Sequence, residues 1–249
     1  MKGEGFQLDH VAIGVPSIAA GAGFLRDELG GEPFDGGPGM GFRWEQFLFA
    51  GGGVIELLEP AGEPGGFLHR FLERRGAGVH HVTFKVPSLE AAAARARGCG
   101  YEIVGWLDLD PSWRECFLHP KQAQGIVVQL AESNPREDEE APAGWTRVAL
   151  PPRPAPAPEP VTLLGLRLSA GDPGAVRRQW QDALGGQARE LDRGGLAFGW
   201  PGSPIRISVE MKRDAPEGPL AFELRGGSAR SWPADAREAL GTRFLRRDD

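Results

Sequence analysis

Apolar residues along the first 132 positions fall into short runs whose spacing switches from strand-like to helix-like and back, twice. Val11 to Val15 is a compact run with β-branched residues, which predicts a strand. Ser17 then offers a helix cap, and the segment it opens runs to Leu29 and stops at Gly30-Gly31. "FRWEQFLFAG" and "GVIELLEP" read as further strands. A second cycle gives a strand over Val82 to Val86, an Ala-rich helix from Ser88 to Arg97 stopped by Gly98 and Gly100, and strands around "YEIVGWLDL", "WRECFLH" and "GIVVQLAE". The second cycle writes β-α-β-β-β in full, and the first is read as a unit of the same β-α-β-β-β order.

The two cycles also share residues. "LDHVAIGVPS" (Leu8 to Ser17) and "VHHVTFKVPS" (Val79 to Ser88) both write His-Val-x-x-x-Val-Pro-Ser, 71 residues apart, which marks a duplicated unit. Matching Phe47-Leu48 to Phe117-Leu118 gives an offset of 70, and Glu56 then falls opposite Gln129 at 73. The expected fold class is α+β: paired βαβββ modules, about 8–60 and 79–132, forming one curved, cup-shaped mixed sheet. Residues 133–160 carry Glu137-Asp138-Glu139-Glu140 and "PPRPAPAPEP", an acidic and Pro-rich linker. Alternation returns over 161–249, with "TLLGLRLS" and "PIRISVE" as strands and a helix from Asp172 to Leu184 before Gly185-Gly186. This tail reads as a degenerate third module, with Gly165 opposite His10, and a partial fourth formed by "GPLAFELRGG" and a helix from Ala234 to Leu240.

Composition narrows the function classes. The chain has 249 residues, 41% hydrophobic, and a net charge of −6, without a basic run interleaved with aromatics. Nucleic acid is therefore not an expected partner. No apolar stretch approaches the roughly 20 residues that span a bilayer, and the N-terminus does not lead into a secretory segment, so a cytoplasmic protein with no membrane partner is expected. Cys99 and Cys116 lack metal-site spacing and read as buried reduced thiols.

Together "LDHVAIGV", "IELLEP", "FLERRGAGVHHVTFKV" and "FLHPKQAQGIVVQL" resemble the vicinal oxygen chelate superfamily, most closely its methylmalonyl-CoA epimerases, over about Leu8 to Glu132. The resemblance implies one divalent metal ion (Co, Zn, Ni, Mn or Fe) held by His10, Glu56, His81 and Gln129. Two imidazoles, a carboxylate and an amide oxygen suit an ion of intermediate hardness and leave positions for substrate oxygens. His80 and His81 point to opposite faces of one strand, and register with His10 selects His81. The family usually places glutamate in the last strand and glutamine at the opposite ligand position, so the resemblance implies either a site with the two exchanged or a weakened one. The implied substrate is a small carbonyl compound or an acyl-CoA, and the resemblance admits a homodimer.

Epimerisation needs a base on one face of the substrate and an acid on the other, with the enolate stabilised between them. In the register above, Glu45 and Glu115 occupy equivalent places and form the expected acid/base pair; the bland alternative is two solvent-facing strand charges. A glyoxalase-like lyase or isomerase, and a non-catalytic ligand-binding protein of the bleomycin-resistance kind, are the competing readings. His119 in "FLHPK" is expected to shape a turn with Pro120, His69 to lie on the surface, and Trp44, Trp106 and Trp113 to line the cup or the core. "FDGGPGM", Phe34 to Met40, is expected as a glycine-rich substrate loop.

Overall fold

The computed structural model describes residues 5–110, 112–133, 161–226 and 236–247. The linker predicted over 133–160 thus falls, from residue 134 on, outside the described residues. The first module runs β1 (Gln7–Gly14), α1 (Ile18–Gly23, continued by a π-helical turn Phe24–Glu28), β2 (Glu32–Gly39), β3 (Phe42–Leu48) and β4 (Val54–Pro60). A helix α2 (Phe67–Arg75) leads to the second module: β5 (Gly78–Lys85), α3 (Leu89–Gly98), β6 (Ile103–Asp110), β7 (Trp113–Leu118) and β8 (Val127–Ser133). Ser88 caps α3 by accepting from the amide of Ala91, as its position before the Ala-rich run predicts.

The third module repeats the order: β9 (Thr162–Ala170), α4 (Pro173–Arg177, continued by π-helical Arg178–Ala183), β10 (Gln187–Glu190), β11 (Leu196–Gly199) and β12 (Arg206–Met211). Asp172 caps α4 by accepting from the Gly174 amide. After it come β13 (Gly218–Arg225), β14 (Ala236–Ala239) and β15 (Thr242–Arg246). Hydrogen bonding orders one sheet β2-β3-β4-β1-β5-β8-β7-β6 and another β10-β11-β12-β9-β13-β15-β14. Each module brings its first and last strands together in parallel (β1 with β4, β5 with β8, β9 with β12), while the remaining pairs within it are antiparallel. The class is mixed α+β with repeated βαβββ modules.

Two expectations are corrected. Phe34 to Gly39 is strand rather than loop: Glu32–Gly39 pairs with β3 along its length, with a register shift between Pro33 and Asp35. An edge strand tolerates Pro33 and Pro38, because only one side of its backbone needs partners. Ala236 to Leu240, read as helix, is a strand and a turn, and Ala234 lies outside the described residues. Leu240 and Gly241 take φ of 52° and 68°, which closes the β14–β15 hairpin as a mirror-image turn. Pairing of Arg237 with Phe244 and of Glu238 with Arg243 overrides the helical propensity of this alanine- and leucine-containing run.

Contacts divide the chain into two units. One comprises the described residues of 10–80, 161–164 and 221–247; the other comprises those of 5–9, 81–133 and 165–220. In the second unit Phe84 of β5, fully buried, packs edge-on against Trp200 at 4.8 Å and lies 6.4 Å from Trp180. Trp180 donates to Gln124, and Arg95 of α3 donates to the carbonyl of Asp182. Residues 165–220 therefore share a core with the second module.

Candidate metal and proton-transfer site

Strand register fixes which side chains share a face. Ala12 stands beside Glu56, and Glu56 stands across from Gln46. His10, two residues before Ala12, points the same way. Its Nε2 lies 3.6 Å from Glu56 Oε1, and both residues are buried. Gln46 Nε2 donates to the other oxygen, Glu56 Oε2, at 2.8 Å, which fixes the carboxylate and turns Oε1 toward the imidazole. Further along this face Ala12 and Leu58 meet Leu68 of α2, with Phe42, Trp44 and Phe71 packed against them.

The second module repeats the geometry with other residues. Thr83 stands beside Gln129, and Gln129 across from Phe117. His81 and Gln129 are buried. The Thr83 hydroxyl donates to Gln129 Oε1 at 2.6 Å, and Gln129 Nε2 donates to Glu115 Oε2 at 2.6 Å. Trp113 Nε1 donates to the same Glu115 oxygen at 2.7 Å. His80 points away from its neighbour and packs against Phe67 and Phe71, where burial pushes its pKa down to about 4 despite the nearby Glu56.

Within one unit His10 and Glu56 bring a ring nitrogen and a carboxylate oxygen to 3.6 Å, and His81, the matching residue of the repeat, is buried at the start of the second module. Atoms bound to one ion at about 2.1 Å stand about 3.0–3.4 Å apart, so the 3.6 Å between His10 and Glu56 needs little adjustment. Nitrogen and carboxylate donors of this kind suit a divalent ion of intermediate hardness. The amide of Gln129 is engaged on both atoms, so binding a metal would use its remaining oxygen lone pair.

Strand register makes Glu45 and Glu115 non-equivalent positions. His10 to Ala12 and His81 to Thr83 are matching steps, so Gln46 corresponds to Phe117, an offset of 71 rather than the 70 inferred from Phe47 and Phe117. The counterpart of Glu115 is consequently Trp44. Glu45 pairs with Leu57, on the opposite face from Gln46 and Glu56. That face carries α1: a Cβ on Gly21 would meet Leu57 Cδ1 at 3.2 Å. Burial raises the pKa of Glu45, Arg26 and Arg43 counter it, and Glu59 adds to it; Glu45 Oε1 is buried without a hydrogen-bond partner among the described residues. Glu115, in contrast, shares the face of Thr83 and Gln129.

Other residues fall as follows. His119 Nδ1 accepts from the Lys121 amide at 3.3 Å, shaping the turn before β8. His69 is half-buried on α2, and Trp106 is exposed. Thr83, Trp113 and Gln46 were missed as orienting residues, although Thr83 and Trp113 each stand two positions from a named residue, the spacing that shares a strand face. In the third module Gly165 holds the position of His10 and Ser208 that of Glu56. Gly165 has φ of 146°, and a Cβ there would lie 1.9 Å from the Arg206 carbonyl oxygen, so this module has no room for a histidine.

The model of the Glyoxalase/Bleomycin resistance protein/Dioxygenase superfamily matches residues 9–117, and the chain belongs to this superfamily. Among relatives, the ethylmalonyl-CoA/methylmalonyl-CoA epimerase of Cereibacter sphaeroides is 36% identical over 135 residues, covering 51% of this chain and 97% of its own. Human mitochondrial methylmalonyl-CoA epimerase is 27% identical over 136 residues, covering 51% and 74%. A mutant of 4-hydroxymandelate synthase from Streptomyces coelicolor shares the fold over 92% of this chain and 74% of its own, with a TM-score of 0.63 at 13% identity. The epimerase likeness thus covers about half of this chain.

Proposed function

We propose that the protein is a divalent-metal-dependent enzyme that moves a proton α to a carbonyl or thioester, with methylmalonyl-CoA epimerisation as the leading reaction. The observation that carries the reading is the buried His10–Glu56 pair, 3.6 Å apart, with a buried histidine, His81, at the matching position of the repeat. When bound, a divalent ion would supply Lewis-acid stabilisation of the negative charge on the substrate oxygen. His10, Glu56 and His81 would hold it, with Gln46 orienting Glu56. Glu115 is the general base in this reading: Gln129 and Trp113 both donate to Oε2, which fixes the carboxylate and leaves Oε1 to take the proton. The 36% identity to an ethylmalonyl-CoA/methylmalonyl-CoA epimerase supports the choice of substrate.

Incorporation of deuterium from D₂O at the α-carbon of methylmalonyl-CoA, followed by NMR, tests this. Glu115→Gln should slow exchange about 10²- to 10⁴-fold. Unchanged exchange in that variant removes Glu115 from the mechanism, and no exchange in the wild-type protein removes the epimerase reading. One observation favours a glyoxalase-like isomerase as the second reading: Trp44, not a carboxylate, is the counterpart of Glu115, which suits a single base acting on one side of a small carbonyl substrate.

A further inference from the structure

Helix α2 presents Phe67, Arg70, Phe71, Arg74 and Arg75 at positions i, i+3, i+4, i+7 and i+8, one continuous stripe. These five side chains line a cavity of about 210 Å³. Like charges spaced i, i+4 on a short helix repel, and no ion pair with a carboxylate relieves Arg70, Arg74 or Arg75 among the described residues; Arg70 donates to the carbonyl of Gly65 instead. Leu68 is the buried residue of the helix, whereas Phe67 remains 42% exposed. Its ring is nevertheless braced by Phe42 at 5.6 Å and His80 at 5.5 Å.

Three uncompensated guanidinium groups beside a braced, exposed ring match a ligand that joins phosphates to a planar base. Guanidinium groups bind phosphate oxygens in pairs, and an aromatic face stacks on a base. The cavity also lies close to the ligand strand of its own unit. Phe71 and Leu68 sit over Gly14, where a Cβ would meet them at 2.9 and 3.1 Å. Gly14 is four residues along β1 from His10, about 13 Å at about 3.3 Å per residue.

We infer that the α2 cavity holds the phosphorylated adenosine end of an acyl-CoA thioester, with Arg70, Arg74 and Arg75 on its phosphates and Phe67 against its adenine. The inference rests on the reading of an acyl-CoA substrate given above. It is tested by calorimetric titration of the full chain with CoA and with adenosine 3′,5′-bisphosphate, comparing wild type, Arg70→Gln/Arg74→Gln/Arg75→Gln and Phe67→Ala. The triple variant should weaken both ligands at least about tenfold, with metal content and circular dichroism retained, and Arg→Lys replacements should recover part of the loss. The KM for methylmalonyl-CoA should rise with the dissociation constant. CoA affinity within twofold of wild type in the triple variant, or no CoA binding by the wild-type protein, overturns the inference. Arginine-dependent CoA binding without proton exchange upholds this site and removes the proposed reaction. Proton exchange whose KM ignores the arginines leaves the reaction standing and overturns the site.

Discussion

Phe84→Ala tests whether residues 165–220 belong to the fold of the second module. The ring is fully buried and meets Trp200 edge-on at 4.8 Å, with Trp180 at 6.4 Å. An aromatic side chain buries at least about 150 Å², worth about 4 kcal/mol at about 25 cal/mol per Å². That falls within the roughly 3–5 kcal/mol typical of Phe→Ala in a packed core. Guanidinium unfolding followed by far-ultraviolet circular dichroism and by tryptophan fluorescence should show this loss with both signals shifting together. Phe34→Ala, at a residue 49% exposed, serves as the control and should cost no more than about 0.5 kcal/mol. A loss below about 1 kcal/mol for Phe84→Ala, or a fluorescence transition separate from the dichroism transition, would refute the shared core. The same reasoning predicts that truncation after Glu132, which strips Trp180 and Trp200 from Phe84, yields an aggregating fragment rather than a minimal enzyme.

Glu45 has a pKa raised by burial, so the folded state holds its proton more tightly than the unfolded chain does. Its contribution to stability is therefore fullest below the unfolded value and declines as pH rises through the folded value. Glu45→Gln should raise the melting temperature at neutral pH and flatten that decline, with proton exchange retained; a lower melting temperature at pH 7, measured by scanning calorimetry, contradicts the placement. Cys116 is buried and its thiol pushed up to about 12, so a native thiol titration should consume Cys99 first, and Cys116 only after denaturation. Rapid labelling of both in the native protein would contradict that burial.

Much of the architecture was legible because modules repeat. The His-Val-x-x-x-Val-Pro-Ser pair located β1 and β5 and the Ser88 cap of α3, whereas Ser17 makes no side-chain cap bond among the described residues; the correspondence of Glu56 with Gln129 followed at an offset of 73. What escaped was face. Matching Phe47 to Phe117 by residue type is wrong by a single residue, and in a strand a single residue exchanges the two faces, which carried Glu45 from the helix side to the ligand side. β2 escaped because its pairing with β3, not its composition, makes Glu32–Gly39 a strand. β14 escaped because Ala236–Ala239 has no strand propensity of its own and is held by β15.

Metal stoichiometry tests the central claim most directly. Elemental analysis of the purified protein by inductively coupled plasma mass spectrometry, beside His81→Ala, should find about one equivalent of a divalent ion in the wild type, lost in the variant while the fold is retained. Wild-type protein that takes up no cobalt, zinc, nickel, manganese or iron, or a variant that keeps its full complement, would contradict a centre built from His10, Glu56 and His81.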